Sequence, residues 1–434
     1  MTYNPESGTG LPVGKQQNLN VLFTPIDTTN YTNATADVKI NVLKATPAIT
    51  WNDPADIKYG TNLSSTQLNA TSWNGLTNLT SQGNFTYTPA SGFMLDPGIQ
   101  NLTVLFTPID TTNYTTASKT VTINVQKAYA YITNNGNDTI SVIGTNTNTV
   151  AATIPVGSTP WGVAVTNDGK KVYVTNNGDS TVSVIDTATN TVIATVNVGS
   201  SPYGVAVNSA GTKVYVANMN NNNVSVIDTA TNTVTATVDV GISPIGVAVS
   251  SDGKKIYVTN TGNIMNKGTV SVIDTAINKA IPPAVTVGYS PFSPLGIAIT
   301  PDGKRVFVTN AASNTVSVIN TADNKVIPPA VIVGSKPYGV AITPDGKKVF
   351  VTNLADNTVS VIDAKNNNLI TTVNGFNGPY GITVNPEGNK VYVANSGNAT
   401  VSAIDTANNI VTTQPVDVGS FPVAFGQFIV PLSP

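Results

Sequence analysis

Small and branched apolar residues alternate along residues 162–176, in two short runs separated by one tight turn. The first run is Gly162-Val-Ala-Val165, the second is Val172-Tyr-Val-Thr175, and Asp168-Gly169 lies between them. Alternation over short runs predicts half-buried β-strands, and an Asp-Gly pair between two such runs is a strong β-hairpin signal. The segment is therefore expected to form a strand, a turn and a second strand.

The second strand of this hairpin occurs seven times in the chain. By subtraction of residue numbers, the copies follow one another at steps of 42, 42, 42, 50, 43 and 42 residues. Their first residues are Tyr131, Tyr173, Tyr215, Tyr257, Phe307, Phe350 and Tyr392. Each period also holds two further apolar runs, such as Thr181–Ile185 and Thr191–Val196. A four-strand unit at this period is typical of a β-propeller, so we predict an all-β fold with a seven-bladed propeller over residues 129–434.

The two ends of this region are expected to close the ring. The first copy, at Tyr131, has no hairpin partner before it, and the apolar run Pro422–Val430 has no second strand after it. We predict that Pro422–Val430 is a strand that completes the first blade. It would occupy the innermost position, which Gly162–Val165 typifies, because small residues fit where the blades converge.

Residues 1–128 carry a different repeat. Leu19–Tyr31 matches Leu102–Tyr114, and subtraction gives an offset of 83 residues. Several short β-type runs separated by turn residues fill 46–128, a pattern typical of an immunoglobulin (Ig)-like sandwich without the disulfide. We therefore predict a partial Ig-like domain at 1–45 and a complete one at 46–128. Either the chain is a fragment of a longer array, or another chain completes the partial domain.

The composition removes several classes of function. The chain has no Cys and no His, which removes thiol nucleophiles, His-based triads and the usual ligands of zinc and haem. Charged residues make up only 10% of the chain and the formal net charge is −2, without the clustered basic face of a nucleic-acid-binding protein. No apolar run approaches the roughly 18 residues that indicate a membrane-spanning helix. We therefore expect no catalytic residues, metal ion, cofactor, nucleic-acid partner or membrane span.

One aromatic-rich position recurs on the face that carries the loops between blades. It follows the proline before each innermost strand and is occupied by Trp161, Tyr203, Ile245, Leu295, Tyr338, Tyr380 and Val423. One interpretation is an aromatic rim that stacks on a sugar or holds a loop. The other is packing between adjacent blades, which Ile, Leu and Val at the same position favour. The fourth period is longer than the others, and its extra residues include Tyr289 and Phe292. The candidate ligand-binding residues are therefore Trp161, Tyr203, Tyr338, Tyr380, Tyr289 and Phe292.

Two polar sets also repeat with the blades. An Asn ends the second strand of every copy, at Asn134, Asn176, Asn218, Asn260, Asn310, Asn353 and Asn395. These residues either form a ligand ring or cap a turn by side-chain to backbone bonds, and their presence in every blade favours the structural role. Asp residues recur in two turns, as at Asp168 and Asp186, without the spacing of a calcium-binding loop.

Three short motifs repeat with the predicted blades: Tyr-Val-Thr-Asn, Pro-Tyr-Gly-Val-Ala-Val before it and Thr-Val-Ser-Val-Ile-Asp after it. Over residues 129–430 they resemble the YVTN family of β-propellers. Combined with Ig-like modules, the chain is similar to surface-layer-type proteins, especially those of methanogenic archaea. The resemblance implies an extracellular structural or adhesive role, with other cell-surface proteins or glycans as partners. Residues 1–6 do not begin a signal peptide, so we expect that signal upstream.

Eleven Asn-X-Ser/Thr sequons are compatible with a glycoprotein exposed at the cell surface. We expect a non-enzymatic surface protein in which Ig-like spacers carry a propeller as the interaction or adhesion head. The alternative is a carbohydrate- or peptide-binding propeller that uses the aromatic face. A third hypothesis is a lactonase- or dehydrogenase-like enzyme, and the missing His and the lack of a convergent acidic cluster count against it.

Overall fold

The computed structural model describes residues 1–58, 61–73, 82–96, 98–126, 128–145, 147–263, 267–288, 293–412 and 414–431. The chain divides into two compact units, Met1–Gln126 and Lys127–Ser433. Within the described ranges, the single helical segment is one 3-10 turn at Met219–Asn221, and all other elements are strands. The predicted all-β class is confirmed.

The first unit has nine strands in its described residues. They are β1 (Thr2–Asn4), β2 (Gly14–Phe23), β3 (Ala34–Val42), β4 (Ala48–Thr50), β5 (Ile57–Lys58), β6 (Thr71–Trp73), β7 (Gly83–Thr88), β8 (Gly98–Pro108) and β9 (Ala117–Gln126). One sheet has the order β1-β2-β3, β4 pairs with β6, and a third sheet has the order β5-β9-β8-β7. Pairing is antiparallel except between β5 and β9, which run parallel.

The sheet β1-β2-β3 and the strands β7-β8-β9 are two copies of one arrangement. Leu19 pairs with Val38 in the first copy, as Leu102 pairs with Val121 in the second. The turn after each middle strand is the same Asp-Thr-Thr-Asn motif, with the same Asn-to-Asp hydrogen bonds. The 83-residue sequence repeat is therefore also a repeat of strand register.

The second copy has a well-packed core. The segment that holds β4, β5 and β6 covers one face of β8 and β9, so that Leu63 and Leu68 pack with Leu102. Trp51 donates from Nε1 to the carbonyl of Gln67 at 3.0 Å and meets the Tyr87 ring edge-on, with centroids 5.4 Å apart. This buried indole nitrogen is satisfied, which lets the ring contribute apolar area without leaving a donor unpaired.

The described part of the second unit holds seven successive antiparallel sheets, which we number sheets 1 to 7. Sheet 1 has β10 (Ala128–Asn134), β11 (Thr139–Gly144) and β12 (Thr149–Pro155). Sheet 2 has β13 (Pro160–Val165), β14 (Lys171–Asn176), β15 (Thr181–Asp186) and β16 (Thr191–Asn197). Sheet 3 has β17 (Pro202–Val207), β18 (Lys213–Asn218), β19 (Asn223–Asp228) and β20 (Thr233–Asp239).

The same pattern continues through the other four sheets. Sheet 4 has β21 (Pro244–Val249), β22 (Lys255–Asn260), β23 (Thr269–Asp274) and β24 (Lys279–Thr286). Sheet 5 has β25 (Ile297–Ile299), β26 (Arg305–Asn310), β27 (Thr315–Asn320) and β28 (Lys325–Ile332). Sheet 6 has β29 (Pro337–Ile342), β30 (Lys348–Asn353), β31 (Thr358–Asp363) and β32 (Asn368–Asn374). Sheet 7 has β33 (Pro379–Val384), β34 (Lys390–Asn395) and β35 (Thr400–Asp405). Two short strands, β36 (Ile410–Val411) and β37 (Val416–Asp417), both pair with β35 at its outer edge. The last strand, β38 (Ile429–Pro431), pairs with β10 in sheet 1.

Glycines on or just before the first strand of these sheets allow neighbouring sheets to approach each other closely. A Cβ on Gly204 would lie 2.2 Å from the carbonyl oxygen of Ile245 in the next sheet, and one on Gly296 would lie 2.2 Å from that of Tyr338. No side chain fits at such a distance, so these backbones meet directly. This is the physical reason for the small residues that the sequence shows at the innermost position.

The Thr of the Tyr-Val-Thr-Asn motif joins one sheet to the next. Thr175 Oγ1 accepts the N–H of Gly162 in its own sheet at 2.8 Å and donates to the carbonyl of Tyr203 in the following sheet at 2.6 Å. We call this arrangement the threonine clasp. Its donor hydroxyls belong to Thr133, Thr175, Thr259, Thr309 and Thr352. Sheets 3 and 7 have Ala217 and Ala394 at this position and therefore lack the hydroxyl.

A second set of bonds joins the sheets farther from the first strands. Lys171 Nζ donates to the carbonyl of Thr229 at 2.6 Å, from sheet 2 to the third turn of sheet 3. The Tyr392 hydroxyl donates to the carbonyl of Thr145 at 3.2 Å, which links sheet 7 to sheet 1. The Tyr of the motif and the basic residue two positions before it therefore both contribute to contacts between sheets.

The C-terminal run reaches sheet 1, but the prediction of one strand over Pro422–Val430 is wrong in its extent. Only β38 pairs with β10 as a strand, and isolated bridges join Asn134 to Pro422 and Gly162 to Phe425. Ala424 and Gly426 have φ values of 39° and 127°. These left-handed conformations interrupt the extended backbone, so the earlier part of the run contacts both sheet 1 and sheet 2.

Removing one clasp hydroxyl should destabilise the second unit. In Thr175→Val the side chain keeps nearly the same shape, but the Gly162 N–H and the Tyr203 carbonyl lose a buried partner. This should lower the free energy of unfolding by about 1–3 kcal/mol. Urea unfolding, followed by circular dichroism, measures the change. Thr191→Val is the matched control, because Thr191 is exposed at the start of β16 and should shift stability by less than about 0.5 kcal/mol. Equal effects of the two substitutions would contradict the clasp.

Candidate functional site

The residues that follow the pre-strand prolines meet in one hydrophobic cluster, although they are about 42 residues apart in sequence. We call it the aromatic cluster. Its buried members are Ile245, Tyr338, Tyr380, Val423 and Phe425, and the partly buried members from the same set of positions are Trp161, Tyr203 and Leu295. The repeat therefore brings seven equivalent positions, from six sheets and the C-terminal run, to a single place.

The rings of this cluster pack directly on one another. Trp161 stacks on Tyr203 with centroids 4.8 Å apart, and it also lies 5.4 Å from Tyr380. Tyr338 lies 3.9 Å from Tyr380 and meets Phe425 edge-on at 5.8 Å. Because Trp161 comes from sheet 2 and Tyr380 from sheet 7, the contact brings the beginning and end of the repeat together. Offset and edge-on geometries of this kind favour aromatic association.

The cluster contains both buried and accessible side chains from this position. They share one core, in which Tyr338 and Tyr380 are 9% and 8% exposed. Trp161 and Tyr203 are half-buried and keep some accessible surface. Tyr289 and Phe292 lie outside the described residues. The assignment of these six residues to ligand binding stays a prediction.

The interior of the cluster favours uncharged groups. Burial raises the pKa of Tyr338 and Tyr380, and a hydrogen bond between their hydroxyls accompanies it. Burial also raises the pKa of Tyr203. Groups held neutral in this way supply apolar contact and hydroxyl hydrogen bonds, and they are poor bases near neutral pH.

The repeated Asn residues have a structural role, as the sequence pattern favours, but the predicted partners are wrong. Asn176 Nδ2 donates to Thr181 Oγ1 and to Ser183 Oγ, both at 2.9 Å, rather than to the backbone. The corresponding bonds link the second and third strands in all seven sheets. The Thr-Val-Ser run of the third strand is the sequence signal for these partners, because it repeats in phase with the Asn.

The Asp side chains accept hydrogen bonds within the turns in which they lie. In sheet 5, Asp302 accepts from Thr300 Oγ1 at 2.6 Å and from the Lys304 N–H at 3.0 Å. The Thr300 hydrogen bond lowers the pKa of Asp302. Among the described residues, no three or more His, Cys, Asp or Glu side chains are grouped so that they could hold a metal ion. Nor does the described part of the chain contain a helix with the length and apolarity to cross a membrane.

The exposed side of the aromatic cluster offers accessible aromatic surface. The rings of Trp161 and Tyr203 lie against each other at an interplanar angle of 30°, and both residues keep some accessible surface. Such a surface can pack on an apolar sugar face or on a peptide side chain.

The buried tyrosines should make the second unit sensitive to alkali. Burial raises the pKa of Tyr257 and Tyr392 to about 12, from 10.0. Below pH 10 these tyrosines are protonated in both the folded and the unfolded protein. Above pH 10 the tyrosines of the unfolded chain lose protons that the folded protein keeps, so the free energy of unfolding falls towards pH 12. Tyrosinate absorbance and circular dichroism should therefore show these tyrosines ionising together with loss of β-structure.

Tyr257→Phe provides the control for this prediction, because Phe307 and Phe350 occupy the same position in sheets 5 and 6. The variant should lose stability less steeply between pH 10 and pH 12 than the unmodified protein. Full ionisation of the tyrosines with the β-structure intact would contradict the burial argument.

Many solved structures are similar to this chain, among them the following two. One is a Kuenenia stuttgartiensis hydrazine synthase chain, 25% identical, with a TM-score of 0.59 over 64% of this chain and 92% of that chain. The other is a functionally unknown protein from Desulfotomaculum acetoxidans, 19% identical, with a TM-score of 0.58 over 69% of this chain and 99% of that chain. The second likeness is one of fold alone. No curated protein matched the sequence.

A family model of the YNCE-like β-propeller matches residues 114–211 and 293–425, together more than half of the chain. The two matched segments include the Tyr-Val-Thr-Asn strands β14, β26 and β30. Between them, β18 and β22 pair with their neighbours in the same register as β14 does. The sequence family and the repeated four-stranded sheets agree, and the chain belongs to the YNCE-like β-propeller family.

Proposed function

We propose that sheets 1 to 7 form a closed, seven-bladed propeller. The support comes from one hydrophobic cluster that contains Tyr392 of sheet 7, Tyr131 of sheet 1, Val165 of sheet 2 and Phe428 of the C-terminal run. A chain whose last sheet packs on its first has no terminal sheet left without a neighbour. The bond between Tyr392 and Thr145 supports the same contact.

Closure by the C-terminal run predicts that Phe428 is essential for stability. Phe428 is fully buried, so Phe428→Ala should cost about 3–5 kcal/mol, as for other buried Phe residues. Phe421→Ala is the matched control, because Phe421 is 44% exposed, and it should cost less than about 1.5 kcal/mol. Thermal unfolding by calorimetry compares the two. A Phe428→Ala variant as stable as Phe421→Ala would exclude this closure.

We infer that residues 46–128 are an Ig-like sandwich and that 1–45 are part of another. Support comes from the parallel pairing of β5 with β9, beside the antiparallel order β9-β8-β7, and from the apolar core around Trp51. The equal register of β1–β3 and β7–β9 supports a tandem origin of the two modules.

We propose that the protein is a non-enzymatic, extracellular protein of the surface-layer type, with the propeller as its interaction or adhesion head. The observation that carries this proposal is the filling of the region where the sheets converge. In a closed propeller this region would face the central channel, and side chains from six sheets and the C-terminal run meet in the aromatic cluster. A filled centre suits a rigid scaffold whose partners bind its outside.

The outer strands supply a surface for such partners. In β16, Val192 and Ile193 are 37% and 50% exposed, and in β32, Leu369 and Ile370 are 45% and 47% exposed. Their neighbours along these strands are mostly Thr, so the apolar side chains lie on an uncharged, polar background. Contacts of this mixed kind are common at protein–protein interfaces.

A carbohydrate- or peptide-binding propeller is the second candidate, and the stacked Trp161 and Tyr203 favour it. The third candidate is a lactonase- or dehydrogenase-like enzyme, and one similar structure is a hydrazine synthase chain. A similar fold does not transfer a function, and the aromatic cluster supplies no acid–base pair.

Surface labelling of intact source cells tests the first proposal. Antibodies against the second unit should bind whole cells as strongly as permeabilised cells, and a protease added outside should remove the signal. A cytoplasmic protein of the same cells is the control and should stain only after permeabilisation. Labelling that requires permeabilisation would overturn the cell-surface role.

A glycan array tests the second candidate. If the stacked rings bind sugars, Trp161→Ala and Tyr203→Ala should each weaken binding about tenfold or more, as expected for the loss of an aromatic anchor. Tyr338→Phe is the control, because that ring is buried and keeps its packing. Binding that survives both alanine substitutions would rule out this site.

A further inference from the structure

The join between sheets 6 and 7 differs from the other joins at one peptide N–H. In the other six sheets a Val follows the outermost strand, and its N–H donates to a carbonyl just before the third strand at 2.9 to 3.1 Å. These residues are Val156, Val198, Val240, Val287, Val333 and Val418. In sheet 6 the corresponding residue is Gly375, which follows β32, and its N–H makes no hydrogen bond to any described residue.

The packing of Phe376 explains why this bond is missing. In sheet 2, Val198 packs on the apolar core that contains Val182. In sheet 6 the apolar side chain comes one residue later, because Phe376 is 8% exposed and belongs to the core that contains Val359. The backbone reaches this position through Gly375, whose φ is 103°, a conformation that glycine adopts readily. The Gly375 N–H is therefore released from the strand ladder, and the residue is exposed.

Asn374, directly before this glycine, is an exposed residue that ends β32. In an Asn-Gly pair the glycine nitrogen can attack the side-chain amide carbon of the Asn, because no Cβ hinders the approach. The attack requires the peptide between the two residues to turn towards the side chain. A Cβ built on Gly375 would meet no atom within 4 Å apart from its chain neighbours, and the turn breaks no hydrogen bond of the Gly375 N–H. We propose that Asn374 is a site of spontaneous deamidation.

Water is the only co-reactant that this reaction needs. The Gly375 nitrogen forms a bond to Cγ of Asn374, the bond from Cγ to Nδ2 breaks, and the amide leaves as ammonia with the proton of the Gly375 N–H. Water then opens the resulting succinimide ring at either of its carbonyl carbons, so that the product is aspartate or isoaspartate. Either product is ionised at neutral pH and adds a negative charge to the formal net charge of −2. Isoaspartate also places an additional methylene group in the backbone between β32 and Phe376.

The other Asn-Gly pairs of the described structure hold the glycine N–H in a hydrogen bond. The acceptors are the carbonyls of Ser420 and Ser158 and Oδ1 of Asn357, and the N···O distances are 3.1, 3.1 and 2.7 Å for Gly136, Gly178 and Gly378. At these pairs the hydrogen bond must open before the glycine nitrogen can attack, so the reaction is slower. The Asn74-Gly75 pair lies outside the described residues.

Ageing of the full chain in mildly alkaline buffer, followed by peptide mapping with fragmentation in a mass spectrometer, tests the proposal. In the folded protein, Asn374 should deamidate about tenfold or more faster than the Asn of the three hydrogen-bonded pairs, since its reaction requires no opening of such a bond. In urea all four pairs should react at similar rates, because folding then protects none of them. Labelling by an isoaspartyl methyltransferase should identify isoaspartate in the peptide that contains residue 374.

Asn374→Gln is the matched control, because the longer Gln side chain forms its cyclic intermediate much more slowly and the exposed position should leave the fold intact. The aged variant should lack the more acidic form that ion exchange separates from the aged unmodified protein. Equal rates at Asn374 and at the three hydrogen-bonded pairs in the folded protein would overturn the proposal. An acidic form that accumulates equally in Asn374→Gln would place the modification elsewhere and would overturn it as well.

Discussion

The second unit depends on how one hydroxyl bridges two sheets at the point where their backbones are in contact. Gly at the innermost strand brings the carbonyl of the next sheet so close that no side chain can enter. The Thr hydroxyl of the clasp reaches that carbonyl from the second strand, and it also satisfies an N–H of its own sheet. Without the Thr hydroxyl, the buried N–H of one sheet and the buried carbonyl of the next would both lack a partner, which would cost stability. The close approach of the backbones and the Thr therefore require each other. The repeated Tyr-Val-Thr-Asn motif is thus mainly a device for contact between and within sheets.

The same geometry explains the place of the aromatic residues. Each clasp accepts its bond at the carbonyl of the residue after the proline, and that residue is Trp161, Tyr203, Leu295, Tyr338 or Tyr380. Fixing these carbonyls side by side directs the side chains to one point, where they make the aromatic cluster. A position that resembles a binding rim in the sequence is therefore tied to the scaffold through its backbone. Only the half-buried pair Trp161 and Tyr203 combines this role with an accessible ring.

The sequence predicts the strands of the second unit well because a repeated pattern reports the same environment several times. The strand pairs around Asp168-Gly169 follow from alternation and turn chemistry alone. The partners of Thr175 and Asn176 do not, because they depend on distances between strands that no local pattern contains. The break at Ala424 is another such case, since its positive φ arises where the run passes between two sheets. In the first unit, the repeat at an offset of 83 predicts equal registers, yet whether a face is covered is a property of its surroundings.

Two of the seven sheets lack the clasp hydroxyl, so the contacts between successive sheets are not all alike. Ala217 removes the bridge from sheet 3 to sheet 4, and Ala394 removes it from sheet 7 towards the C-terminal run. At the second of these places the backbone continues from sheet 7 into the C-terminal run, whose strand β38 pairs with β10 of sheet 1. At both places the backbones still approach closely, since a Cβ on Gly204 would lie 2.2 Å from the Ile245 carbonyl oxygen and one on Gly381 would lie 2.1 Å from that of Val423. Two contacts between successive elements of the second unit therefore rest on packing and close backbone approach without the buried hydrogen bond of the clasp.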